Sequence, residues 1–231
     1  MPIEGMVGLK HKPIPVIFLI DTSYSMEGLG IQQVNNNMKE YIDSLKDDPE
    51  TKDSVQLTII TFSDSAETVM NFKPIGDVIA PILKEQNSTN LASGIAEVMN
   101  VIRQQADFIK SECKRPLLIF MSDGNATCSE SEWRREINQM NNDHIMSRAI
   151  RVALGAGGEI KDSTLEAFIL NKETDRAARV TDMHNLSEFF KFLRTITKEI
   201  AAGKQPSRLA ETEKDDAETV VLIDQHKYGT T

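Results

Sequence analysis

Two stretches of the chain are apolar without a break, Val16 to Ile20 and Leu117 to Met121, each with proline before it and aspartate with small polar residues after it. Runs of that length and composition predict strands buried on both faces, as in a parallel sheet. A third β-branched run, Val55 to Phe62, is followed by the turn-like Ser63-Asp64-Ser65 and then by Glu67 to Phe72, which predicts a hairpin ending in an edge strand. Arg148 to Leu154 and Ala178 to Thr181 predict two further strands. Between them the apolar positions step by three and four, as in Ile31, Val34, Met38, Tyr41, Leu45 and again in Leu91, Ile95, Val98, Ile102, which predicts helices with one face on a sheet. Capping-box spacings, Ser129 with Glu132 and Asn185 with Glu188, open two more helices, the second burying Leu186, Phe189, Leu193, Ile196 and Ile200. This alternation predicts an α/β fold: a doubly wound, mostly parallel six-stranded sheet with one antiparallel edge strand and helices on both faces.

The periodic pattern occupies residues 13–203. It leaves an amino-terminal extension, 1–12, and a tail, 204–231, which turns from Gln-Pro-Ser to the acidic run Glu211 to Glu218 and is expected to be flexible. No internal repeat is present. A formal net charge of −9 argues against a nucleic-acid surface, because phosphate contacts need basic clusters that outweigh the carboxylates. Charges near the amino terminus and the shortness of every apolar run predict neither a signal peptide nor a membrane span, and so a cytoplasmic protein. Cys113 and Cys128 stand in no zinc or CxxC spacing and read as reduced thiols.

In a doubly wound sheet, ligands gather at the carboxyl ends of the strands, where successive helices leave on opposite faces. The first apolar strand ends in Asp21-Thr-Ser23-Tyr-Ser25, and the strand Leu117 to Met121 ends in Ser122-Asp123-Gly124. Chain direction brings the turn Gln86 to Thr89 to the same edge. Helix capping would account for each aspartate singly but not for the convergence of three segments. Oxygen donors from short side chains (Asp21, Ser23, Ser25, Thr89 and Asp123), without Cys or His, suit a hard cation. Mg²⁺, which takes six oxygens at about 2.0–2.1 Å and keeps several waters, fits best, with Mn²⁺ and Ca²⁺ as alternatives. An open coordination position would invite an Asp or Glu from a protein partner.

With these three segments the chain resembles von Willebrand factor type A (vWA) domains carrying a metal-ion-dependent adhesion site (MIDAS), over roughly residues 13–201. The resemblance implies direct ligation by Ser23, Ser25 and Thr89 in the partner-bound form, with Asp21 and Asp123 acting partly through water. Ser88 stands where the threonine loop of that family usually carries glycine. Within the family, Pro15-Val-Ile-Phe-Leu-Ile-Asp21-Thr-Ser-Tyr-Ser-Met26 resembles small bacterial cytoplasmic proteins of the tellurium-resistance type. That likeness implies a stress-response adaptor working with a Ser/Thr kinase and a metal-dependent phosphatase. Accessory service to an AAA+ ATPase is the alternative that related domains suggest.

An enzyme is not expected; a metal-dependent hydrolase or phosphotransferase using Asp21 as nucleophile is the weaker alternative. An aspartyl phosphotransferase would need a second acid where Ser23 stands, and no Gly-x-Ser-x-Gly elbow or His-Glu-x-x-His helix is present. Gly155-Ala-Gly157-Gly158 lacks a phosphate-binding fingerprint and reads as a loop, the four histidines are scattered, and Asp64 and Glu67 read as a solvated hairpin. Trp133 reads first as core, with partner anchoring as the other reading. In the tail, Thr219 among acids with Leu222 three residues on resembles a phosphothreonine ligand of forkhead-associated domains, a mark that a kinase partner would write.

Overall fold

The computed structural model describes residues 12–180, 185–206 and 221–222; the tail threonine Thr219 lies outside them. Strand β1 (Ile14–Asp21) leads into helix α1 (Leu29–Lys46), the hairpin β2 (Val55–Phe62) and β3 (Ala66–Pro74), and helices α2 (Leu91–Gln104) and α3 (Ala106–Glu112). There follow β4 (Leu117–Ser122), α4 (Glu130–Asn142), β5 (Ile150–Ala156), α5 (Asp162–Ala167), β6 (Arg176–Val180) and α6 (Leu186–Ala201). The sheet order is β3-β2-β1-β4-β5-β6, parallel from β2 to β6, with β3 antiparallel at one edge and a further short strand beyond β6. All six strands expected from the apolar pattern are present. The tail supplies an additional one: β7 (Val221–Leu222) pairs antiparallel with Ala178 and Arg179 of β6, so residues 204–231 are not wholly outside the domain.

The unbroken apolar runs are explained by burial on both faces. From β1, Ile14, Val16, Phe18 and Ile20 join the core layer beneath α1 and α6, whereas Ile17 and Leu19 join the layer beneath α2 and α4. Leu117, Ile119 and Met121 of β4 divide from Leu118 and Phe120 in the same way. Strand β3 has only one covered face and alternates half-buried with exposed positions along most of its length. Its pairing with β2 shifts register near Ile59, and Phe72, at φ 42°, turns its ring onto the second layer while its N–H donates to Thr58 Oγ1 at 3.0 Å.

Helix starts match their sequence signals unequally. Ser129 and Glu132 complete a reciprocal capping box before α4. Asn185 takes the position before α6 without a side-chain cap bond, so the spacing located that helix correctly while its capping chemistry is different. Trp133 is buried in the second layer with the Arg134 guanidinium 4.7 Å from its ring centroid, which assigns it to the core. Gly155 and Ala156 end β5, and a Cβ on Gly155 would stand 2.8 Å from both Ile160 Cγ2 and Leu165 Cδ1, so this glycine serves close packing. His144 is the one histidine among the described residues.

Helices α1 and α6 lie side by side on the first layer, where Phe18, Tyr41 and Phe190 form an aromatic cluster with centroid distances of 5.4 to 6.2 Å. The Tyr41 hydroxyl lies 2.8 Å from Thr197 Oγ1, and Thr197 Oγ1 donates to the Leu193 carbonyl, so Tyr41 is the donor to Thr197. Tyr41→Phe is expected to cost about 1 kcal/mol in urea denaturation, the usual net worth of one buried hydrogen bond, with the native fold retained.

Candidate metal centre

β1 and β4 are neighbours, yet their following helices cover opposite layers, so a crevice opens where both strands end. Parallel pairing of Ile20 with Met121 brings the next residues, Asp21 and Ser122, side by side. Asp21 is fully buried, and both of its oxygens have protein partners: Oδ1 accepts the Ser23 N–H at 2.8 Å and Oδ2 accepts the Ser122 hydroxyl at 2.6 Å. Ser23 precedes a short 3₁₀ turn, Tyr24–Met26, which folds Ser25 back over it. The Ser23 and Ser25 hydroxyl oxygens lie 3.0 Å apart, and Ser25 Oγ donates to Asp123 Oδ1 at 2.6 Å. A continuous line of oxygens thus runs from Ser23 through Ser25 to Asp123.

The third segment is bound to the first two through its backbone. The Gln86 N–H donates to the Thr22 carbonyl and the Asn90 N–H to the Ser63 carbonyl, each at 2.6 Å, while the Thr127 N–H donates to the Thr89 carbonyl at 2.8 Å. Thr89 is buried, and its hydroxyl faces Gly124: a Cβ there would stand 3.2 Å from Ser25 Oγ and 3.9 Å from Thr89 Oγ1. Glycine at 124 therefore leaves open the space on which the two hydroxyls converge. Ser88 needs no left-handed backbone, since Phe72 is the non-glycine residue with positive φ among the described residues. Its hydroxyl lies 2.9 Å from Thr127 Oγ1, tying the threonine loop to the loop after β4.

All five residues singled out in the sequence therefore meet at one rim. Ser122 was not among them, although it orients Asp21; its place in the Ser-Asp-Gly turn, beside the last residue of β1, was the signal. Asp64 and Glu67 are exposed on the hairpin.

Burial raises the pKa of Asp21 against the hydrogen bonds of Ser122 and Ser23. Burial also pushes Asp123 up to about 6, with added repulsion from Asp21 and Glu159, although the Ser25 hydrogen bond opposes the rise. A cation between these acids would relieve both burdens. The donor set fits one: hydroxyls and two carboxylates make a hard, partly open oxygen site, and no group of three or more His, Cys, Asp or Glu gathers among the described residues.

The fold is shared with known proteins. A model of the von Willebrand factor type A domain family matches residues 16–192. Mouse inter-alpha-trypsin inhibitor heavy chain H3 is 27% identical over 175 residues, covering 71% of this chain and 19% of its own length. Among solved structures, the ArnB paralog VWA2 from Sulfolobus acidocaldarius superposes with a TM-score of 0.57 at 19% identity, over 78% of this chain and 45% of that one. Proximal thread matrix protein 1 from the mussel byssus, with a zinc-occupied MIDAS motif, gives 0.56 at 19% identity, over 83% and 46%. The chain spans less than half the length of each of these proteins.

The Asp123 carboxyl sits above the ordinary value of 3.8, so the metal-free native state holds its proton more tightly than the unfolded chain does. Its contribution to stability is therefore greatest in acid and falls as pH rises from about 4 through about 6. In chelator, Asp123→Asn should remove that share of the pH dependence seen in urea denaturation. Because protons compete for the same oxygens, divalent-cation affinity should be about tenfold weaker at pH 5 than at pH 7, measured by calorimetry.

Proposed function

The chain belongs to the von Willebrand factor type A domain family, and from that premise we propose that it is a non-catalytic adaptor whose rim holds Mg²⁺ to capture an acidic side chain of a protein partner. Domains of this family commonly mediate protein–protein interaction. The observation that carries the reading is the oxygen line from Ser23 through Ser25 to Asp123, backed by Asp21 and open towards Gly124. Mg²⁺ bound there would supply two positive charges and a coordination position for a partner Asp or Glu. Asp21, with both oxygens engaged by Ser23 and Ser122, sets the loop and balances charge. Ser23 and Ser25 present neutral donors, and a site poor in direct charge leaves the cation hungry for an outside carboxylate.

The cellular setting rests on the stretch Pro15 to Met26, whose likeness to tellurium-resistance proteins supports a cytoplasmic stress-response role beside a Ser/Thr kinase and a phosphatase. In that setting Thr219 would be the kinase's substrate and a forkhead-associated domain its reader. No helix among the described residues is long and apolar enough to cross a membrane. The non-catalytic assignment rests on Ser23, which occupies the position where an aspartyl phosphotransferase would place its second acid.

Full-length bait should capture its partner from the native host with Mg²⁺ and release it in chelator. Asp21→Ala should lose that Mg²⁺-dependent capture while its circular dichroism stays native, since relief of the repulsion between Asp21 and Asp123 offsets part of the loss of the Ser23 and Ser122 hydrogen bonds. Equal capture by wild type and variant would contradict the proposal, as would phosphoester turnover that Asp21→Asn abolishes.

A further inference from the structure

At the opposite pole of the sheet, residues just before β1, β4 and β5 meet the end of α3. Lys12, Lys110, Lys114, Arg115, His144 and Arg148 line one groove there, with a volume of about 300 Å³. β4 is six residues long, so roughly 20 Å separates this groove from the metal rim, well beyond the screening length of about 8 Å at physiological ionic strength. We propose that this groove is a second binding site, in which Lys110, Arg115, His144 and Arg148 hold a phosphate-type oxyanion, free or esterified to a small ligand.

Two of the basic groups are already employed in building the wall. Lys12 Nζ donates to the Ser111 carbonyl at 3.0 Å, and Lys114 Nζ donates to the Ile200 and Ala201 carbonyls at the end of α6. The other four make no ion pair among the described residues. The nearby acids do not fill the groove: Asp143 Oδ1 accepts the Ile145 and Met146 N–H groups at 2.8 and 2.9 Å. Glu112 acts on Cys113 and Glu50 on Lys114. In a chain of net charge −9, a pole where Lys110, Arg115 and Arg148 crowd without an ion pair among the described residues is unfavourable until an anion joins it.

The chemistry of the lining selects the ligand class. Three cationic groups, Lys110, Arg115 and Arg148, together with the His144 imidazole, suit a compact anion with several oxygens, which a single carboxylate is not. Ile109 and Ile145 are buried at the floor, and no Phe, Tyr or Trp lines the groove, so a nucleobase would find no stacking surface larger than the His144 ring. Burial, helped by Glu112, pushes the Cys113 thiol up to about 11; it stays protonated, and the groove binds without offering a nucleophile.

Calorimetry of the full-length protein in metal-free buffer, with inorganic phosphate and pyrophosphate as probes, tests this site separately from the metal rim. Saturable one-to-one binding of pyrophosphate is expected, weakened by added salt and unchanged in Asp21→Asn. The exposed pair Lys110→Gln with Arg148→Gln should weaken it at least about tenfold, the loss of one or two charge-assisted hydrogen bonds. No uptake by the wild type, or equal uptake by the double variant, would overturn the proposal. So would binding that emerges only when Glu211, Glu213, Asp215, Asp216 and Glu218 are all changed to Gln or Asn, because the groove would then belong to the chain's own acidic stretch.

Discussion

The parallel pairing of β1 with β4 is the constraint on which the chemistry of the molecule depends. Each strand is buried on both faces, and their register sets Asp21 beside Ser122 at the point where the chain leaves for opposite layers. A slip of one residue would turn every apolar side chain of β4 to the other layer and carry Asp123 away from Ser25. The core therefore specifies the site: the same burial that holds the two strands in register also desolvates two carboxylates and raises both pKa values. Burying acids without a counter-charge is unfavourable, and that cost sits where the proposed cation would relieve it.

The two ends of the sheet divide the charge of the molecule. At the carboxyl ends of the strands, Asp21, Asp123 and Glu159 make the rim electronegative. At the amino ends, basic groups converge on a groove with few carboxylates. Mean composition describes neither end. A partner acid drawn to a cation at one pole and an oxyanion held at the other would meet separate fields, since the length of a strand lies between them.

Much of this was legible in the sequence, and the limits of that reading are physical. Continuous apolar runs identify β1 and β4 because burial on two faces leaves no polar alternation, and the hydroxyl and carboxylate residues that follow them point to a cation because chain direction puts them at one edge. Asp21, Ser23, Ser25, Thr89 and Asp123 lie together for that reason. The role of Ser122 escaped notice because it depends on register between strands about a hundred residues apart in sequence. Strand β7 escaped because two residues carry no periodicity. The basic groove was hidden more thoroughly: its members come from separate segments, so a net charge of −9 conceals a pole that only the fold assembles.

Whether the oxygen line at the rim is a cation site can be answered by diffraction from crystals grown with Mn²⁺, whose anomalous signal locates the ion without reference to the protein phases. The account predicts one strong peak at direct-bonding distance from the Ser23 and Ser25 hydroxyl oxygens, beside Asp123 and below Gly124. A map with no peak at that rim, at a Mn²⁺ concentration that saturates other proteins of the family, would contradict it.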